Sequence, residues 1–305
     1  MSDRRILAVV TGPTASGKTG LAVELARRYG TDVISADSRQ IYRDLPIGTA
    51  APTPQEQALA RHHFVGRLPL DAYYSAAKFE QDVLALLPQL WERGRVAVMC
   101  GGSMMYVDAV LNGIDLMPTI DDSTRDYVLA MLANNGPESV LAQLQVLDPD
   151  YYAEVDRANM RRVVHAVEIC LQAGVPYSTL RTGRRAERPF RAVKMMIERP
   201  RAELFARINA RVEAMMAAGL VEEARAALAR GNFNSLNTVG YKELAAHFRG
   251  EMTLEEATAR IAKNTRVYAK KQLTWLARDP DVIWLDPTRA VDQAVAAIES
   301  ALTAD

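Results

Sequence analysis

Apolar residues fall in five short runs along this chain: about residues 5–10, "DVISAD" (32–37), "RVAVMC" (95–100), "AVKMMIE" (192–198) and "DVIWLD" (281–286). Strands apolar on both faces belong to buried, largely parallel sheets. Helical spacing of apolar positions fills the intervals, so the predicted class is α/β. In such sheets ligands gather outside the carboxyl ends of the strands, which makes the residues after each strand the ones to examine.

Between the third and fourth runs, from about 103 to 191, no strand pattern occurs. "STRDYVLAMLANNG" and "RRVVHAVEICLQAG" read as helices, each closing at a glycine. An inserted helical lobe at 113–189, covering the open edge, is therefore expected, with 1–112 and 190–305 forming the core. The last long helix is predicted to open at the capping box Thr253-x-x-Glu256.

Composition narrows this little. The 305 residues favour a core plus a smaller unit. Lys+Arg and Asp+Glu stand at 37 each, so only local clustering of charge can speak about partners. Cys100 and Cys170 are far apart and form no metal or disulfide pattern. No apolar run approaches a membrane span, and Met1-Ser2-Asp3-Arg4-Arg5 leads straight into a strand, so a soluble, cytoplasmic chain is expected.

The first strand runs into Gly12-Pro13-Thr14-Ala15-Ser16-Gly17-Lys18-Thr19, the G-x-x-x-x-G-K-T pattern, with helix formers behind it. Glycines at 12 and 17 let successive N–H groups turn toward an anion, and the following helix adds the positive end of its dipole. Lys18 supplies a mobile positive charge and Thr19 a hydroxyl for Mg²⁺. The second strand is followed by Asp37-Ser38-Arg39-Gln40 and the third by Gly101-Gly102-Ser103. Asp37 can hold Mg²⁺, cap the next helix or act as a general base. Ser103 can bind a ligand or cap a helix. The third strand ends Val98-Met99-Cys100, without the carboxylate of a Walker B strand, which speaks against nucleotide hydrolysis.

Basic residues cluster three times. Arg157, Arg161, Arg162 and His165 form one group, and Arg181, Arg184, Arg185, Arg188, Arg191 and Lys194 a second. Arg260, Lys263, Arg266, Lys270 and Lys271, interleaved with Tyr268 and Trp275, form the third. A neutral chain that concentrates its cations in this way fits a phosphate-rich polymer as partner. His62 and His63 adjoin but point apart on either a helix or a strand, so they are not a metal pair.

In chain order, "GPTASGKT", "ISADSRQIY", "IGTAAPT", "YSAAKF", "GGSMMYV", "RRVVHAVEI", "NTVGYKE" and "KKQLTWLA" together resemble the bacterial tRNA dimethylallyltransferases, also called tRNA isopentenyltransferases. The resemblance covers residues 12 to 277. It implies a P-loop NTPase-like core with an inserted all-helical lobe that grips the anticodon stem. It also implies Mg²⁺, and transfer of a dimethylallyl group from dimethylallyl diphosphate to the exocyclic amine of the adenine just 3′ of the anticodon. The P-loop would then hold a leaving group rather than drive phosphoryl transfer.

By the same resemblance Asp37 is the general base, and Asp37, Ser38, Arg39 and Gln40 line the pocket of the flipped adenine. Arg211, one turn after Arg207 on the same helix face, faces the diphosphate. Ser103 and Arg125 match positions important for catalysis. Arg161, Arg162 and His165, with Val239, Gly240, Tyr241 and Lys242, match segments that touch tRNA. Three departures stand out: Ser103 for the usual threonine, Ala51 for a common lysine, and His165 for the usual arginine, which would make one tRNA contact weaker or pH-dependent. A monomer is expected, to leave the tRNA surface open. The rival readings are a P-loop small-molecule kinase, and an RNA-binding module without enzymatic activity.

Overall fold

The computed structural model describes residues 4–183 and 185–304; Arg184 of the second basic cluster lies outside them. The chain divides into two compact units, one of residues 1–112 with 187–305 and one of residues 113–186.

The first unit is built on a six-stranded sheet: β1 (Ile6–Thr11), β2 (Val33–Ser35), β3 (His62–His63), β4 (Val96–Gly101), β5 (Arg191–Ile197) and β6 (Val282–Leu285). The order is β3-β2-β4-β1-β5-β6, and every pairing is parallel. One strand therefore flanks β1 on each side: β4 keeps Thr11 beside Gly101, and β5 keeps Thr11 beside Met196. The strand β3 is absent from the sequence reading, since two residues carry no periodicity.

Alternation along β1 builds both layers of helices. Leu7 and Val9 face a core with Phe79, Val83 and Leu87 of the helix Ala76–Trp91. Ile6, Ala8 and Val10 face the other side, against Leu21, Ala22 and Leu25 of the helix Lys18–Tyr29 and Ala294 and Ile298 of the helix Ala290–Thr303. This is a P-loop NTPase-like core: buried central strand, glycine-rich loop, then helix.

The helix Leu254–Leu276 starts where its capping box predicts. Thr253 Oγ1 accepts from the Glu256 N–H, and Glu256 Oε2 accepts from the Thr253 N–H at 2.8 Å. Its buried face is Ala257, Ile261, Ala269, Gln272 and Leu276, which leaves Lys263, Lys270 and Lys271 exposed.

The described residues of the second unit contain helices only. Asp122–Asn135, Pro137–Leu147, Pro149–Glu154 and Met160–Ala173 enclose a small core of Val128, Val140, Leu144, Tyr151, Val163 and Val167. Asp121 caps the first helix, accepting from the Thr124 N–H at 2.7 Å. Gly174 closes the last with φ 68°, a left-handed conformation that glycine adopts without strain. Buried Asp148 ties this core to the following turn, accepting from the Tyr151 N–H and from the N–H and hydroxyl of Ser178.

Arg188 does not belong to this unit. It pairs with Glu80 and donates to the Ala109 carbonyl at 2.9 Å, inside the first unit. Lys194 pairs with Asp279. The second basic cluster is thus partly neutralised by partners distant in sequence, which the chain order does not reveal.

Candidate active site

Gly12, Ala15 and Gly17 take positive φ of 138°, 65° and 99°, which turns the backbone from Gly12 to Lys18 into a concave loop. For alanine this conformation costs about 1–2 kcal/mol, so something must hold it. Ala15 is packed by Leu204, Ile208 and Ala269, and its carbonyl accepts from Arg207 Nε at 2.8 Å. On either side, Arg199 Nε donates to the Ser16 carbonyl at 2.7 Å and Arg211 Nη1 donates to Thr14 Oγ1 at 3.2 Å. Three arginines in or just before the helix Arg201–Ala217 therefore clamp three consecutive residues of the loop.

The loop is correspondingly cationic. Lys18 Nζ donates to the Pro13 carbonyl at 3.2 Å. Burial pushes the Lys18 ammonium below the ordinary lysine value and Arg211 adds to this, while Cys100 and Asp37 oppose it. Burial also lowers Arg211, helped by the neighbouring charge of Arg207. Cations held below their ordinary values gain most from an arriving anion. Cys100, at the end of β4, is pushed up to about 12 by burial and stays a neutral thiol.

The other two loops meet beside this one. Gly101 presses against β2 so closely that a Cβ would lie 2.1 Å from the Ala36 carbonyl oxygen. Ser103 Oγ accepts from the Ser38 N–H at 2.9 Å and donates to Ser38 Oγ at 3.3 Å, so its hydroxyl joins the two loops. Asp37 Oδ1 accepts from the N–H groups of Arg39 and Gln40, at 2.9 and 3.3 Å. Its other oxygen has no hydrogen-bond partner among the described residues. The Asp37 charge reaches Lys18, and it also adds to the burial that raises the Tyr268 phenol, Arg39 opposing.

Mg²⁺ is the cation implied for this loop. Among the described residues no three His, Cys, Asp or Glu side chains gather as a metal cage. The buried Ser16 Oγ has no partner, and Thr19 presents a second hydroxyl at the start of the helix. Hydroxyl donors without a cage suit an Mg²⁺ that arrives with phosphate oxygens and keeps its waters, so the residues fit the ion.

A family model described as IPP transferase matches residues 40–279. This chain belongs to the IPP transferase family. It is 52% identical over 281 residues to a tRNA dimethylallyltransferase of Parabacteroides distasonis, spanning 92% of this chain and 94% of that one. A tRNA dimethylallyltransferase of Christiangramia forsetii is 41% identical over 91% of this chain and 92% of its own. Among solved structures, the tRNA isopentenylpyrophosphate transferase of Bacillus halodurans superposes with a TM-score of 0.71 at 33% identity, over 98% of this chain and 97% of that chain. A eukaryotic dimethylallyltransferase acting on tRNA shares the fold, with a TM-score of 0.79 at 23% identity, over 97% of this chain and 78% of that one.

Set on this family's framework, the site residues named from the sequence fall into three groups. Gly12 to Thr19, Asp37, Ser38, Ser103 and Arg211 converge in the first unit. Arg125, Arg161, Arg162 and His165 lie in the second, all exposed, with Arg125 Nε 3.6 Å and His165 Nδ1 3.8 Å from the buried Glu168 carboxylate. The third group, Arg39 and Gln40 with residues 239–242, ranges from buried to exposed in the first unit. Gln40 spends its amide on Ser35, Thr49 and Ala50. Tyr241 is 0% exposed and its hydroxyl donates to Glu223 at 2.7 Å. The polar atoms of both side chains thus already have partners within the first unit. Arg39 Nη1 donates to the Asn234 carbonyl at 2.9 Å. Beside them Gly240 caps the helix Tyr241–Phe248, Val239 is half-buried and Lys242 exposed.

Sequence reasoning missed three participants. Arg199 and Arg207 clamp the loop. Gln272 Oε1 accepts from the Thr14 N–H at 3.3 Å, and its Nε2 donates to the Gly102 carbonyl at 2.8 Å. The available signal for Gln272 was one polar residue on the apolar stripe of the last long helix.

Proposed function

We propose that this chain transfers a dimethylallyl group from dimethylallyl diphosphate to the N6 amine of the adenine 3′-adjacent to the anticodon of tRNA, releasing diphosphate. The observation that carries this reading is the pairing of a cation-clamped phosphate loop with a half-free carboxylate at Asp37 on one sheet edge. The C1–O bond of the allylic diphosphate breaks, its electron pair leaving with the diphosphate, and the adenine nitrogen forms the new C–N bond. The nitrogen's proton goes to the free Asp37 oxygen. The N–H groups of the loop, Lys18 and Arg211 stabilise the departing charge in place. Asp37 fixes the weakly nucleophilic amine and accepts its proton. Thr19 would hold Mg²⁺, which when bound would neutralise charge on the leaving group.

The partner is the tRNA anticodon stem-loop, with Arg161, Arg162 and His165 of the helical unit and Lys242 among its contacts, and the enzyme works as a monomer in the cytoplasm. The end of β4 at Met99-Cys100-Gly101, without a carboxylate, weighs against a small-molecule kinase. Incubation with Mg²⁺, dimethylallyl diphosphate and an unmodified stem-loop, followed by mass spectrometry of the RNA, tests the reading. A gain of one dimethylallyl group, abolished in Asp37→Ala, supports it. Consumption of ATP with small acceptors, and no gain on RNA, would overturn it.

A further inference from the structure

The helix Leu254–Leu276 turns one long polar side chain inward. Gln272 is 2% exposed and shares the buried face of the helix with Ala257, Ile261, Ala269 and Leu276, although lysines on the same helix face solvent. Both ends of its amide are used: one on Thr14 of the phosphate loop, one on Gly102 after β4. Gly102 has no room for a side chain there, since a Cβ would lie 2.5 Å from Gln272 Nε2 and 3.2 Å from the Gly12 carbonyl oxygen. Three segments far apart in sequence are thus packed around one amide.

The connection continues. Ser103, next to Gly102, holds the Ser38 N–H, and Ser38 follows Asp37. We propose that Gln272 is a positioning residue which sets the spacing between the phosphate loop and the Asp37 turn. The inference rests on the transfer reading above. In that reaction the leaving group sits on the first segment and the proton acceptor on the second, so their separation is part of the chemistry. Gln272 also withdraws the Thr14 N–H from the anion-binding set, as the Pro13 carbonyl does the Ser16 N–H at 3.3 Å, so the loop offers a ligand the N–H groups of Ala15 and of Gly17 onward.

Gln272 reaches the reacting groups only through Thr14 and Gly102, and its loss is read in geometry rather than in charge. Gln272→Met keeps the length and removes both hydrogen bonds. Gly102→Ala disturbs the same contact from the opposite side, at a backbone conformation open to alanine, and carries the test should Gln272→Met fail to fold. With full-length protein and an unmodified stem-loop, each variant should lose about 10- to 100-fold in kcat, the cost of misplacing reacting groups by about 1 Å. KM for the stem-loop should stay within about twofold, because uniform RNA binding is untouched. Calorimetry should show weaker binding of inorganic pyrophosphate in Mg²⁺ buffer. The double variant should fall no further than the worse single one, since both break one contact.

Unchanged kcat in both variants would overturn the proposal. So would a lowered Tm with kcat per folded molecule intact, which is what simple packing produces. Should the parent protein transfer nothing, the transfer reading fails by itself. The pyrophosphate measurement then decides alone whether Gln272 organises the loop, and equal affinity in both variants would refute it.

Discussion

Arg211 and Thr14 stand 197 positions apart in the chain, and Nη1 of the first donates to Oγ1 of the second at 3.2 Å. The guanidinium is half-buried beside Arg207, and among the described residues no carboxylate forms an ion pair with it, Glu56 acting only at a distance. A like-charged, partly desolvated pair is expensive until an anion arrives. Arg211→Gln should therefore weaken pyrophosphate binding by about 10- to 100-fold, the worth of one hydrogen bond to a charged group. Thr14→Val, which removes only the tether, should cost much less. Calorimetric titration of both variants checks the order, and an equal loss in the two would mean that Arg211 acts only through Thr14.

Asp37 offers a cleaner separation of turn from chemistry. An asparagine can still accept from the Arg39 and Gln40 N–H groups through its Oδ1, so the turn survives the substitution. What disappears is a proton acceptor. Asp37→Asn should lower kcat by about 10²- to 10⁴-fold, the usual range for a general base, with stem-loop affinity little changed. Single-turnover kinetics with filter binding measures both, and loss of RNA affinity with kcat retained would reassign Asp37 to binding.

Lys18 makes anion binding depend on pH in a defined sense. Burial, with Arg211, places its ammonium below the ordinary lysine value of 10.5, so in the free protein it loses its proton earlier than an exposed lysine does as pH rises. The bound anion favours the charged form, so binding at high pH must take up a proton. Pyrophosphate affinity should decline with rising pH before 10.5 is reached, and Lys18→Met should flatten that decline. Isothermal titrations in buffers of differing ionisation enthalpy would reveal the proton uptake. A parent protein with no more pH dependence than Lys18→Met would show that Lys18 does not meet the anion.

What could be read from the chain and what could not divides along physical lines. Local signals carried far: the G-x-x-x-x-G-K-T loop after a buried strand, the box at Thr253 and Glu256, and the glycines closing helices at 136 and 174 all act within a few residues. Partnerships across the fold did not show. Gln40 and Tyr241 stand in segments that resemble RNA-contacting ones, yet their hydrogen bonds go to Thr49, Ala50 and Glu223, which only the folded chain brings near. Arg199 was invisible for the same reason, because a clamp is defined by what it touches, and Gln272 showed only as one polar residue on an apolar stripe.

Tyr241 then yields a prediction opposite to that of a contact residue. Glu223 accepts from its hydroxyl and from the N–H groups of Ile47 and Gly48, each at 2.8 Å, so the carboxylate binds the 45–51 loop to two helices. Gly48 lies against the phenol, where a Cβ would come within 2.4 Å of the hydroxyl oxygen. Tyr241→Phe should cost about 1–2 kcal/mol of stability in urea titration while stem-loop affinity holds. Weakened RNA binding at unchanged stability would restore the residue to the interface.

His165 puts the RNA role of the helical unit to the test. Its Nδ1 is 3.8 Å from Glu168, whose buried carboxylate is also approached by Arg125, and its side chain is 51% exposed. The Glu168 charge is thus already served by a permanent cation, which leaves the imidazole available to an outside partner. An arginine at 165 would carry full charge at every working pH, where histidine carries a variable one. If position 165 meets a backbone phosphate, His165→Arg adds up to one released counterion. The slope of log affinity against log salt then steepens by up to about 0.7–0.9 at neutral pH. Parallel salt dependences in variant and parent would remove His165 from the RNA interface.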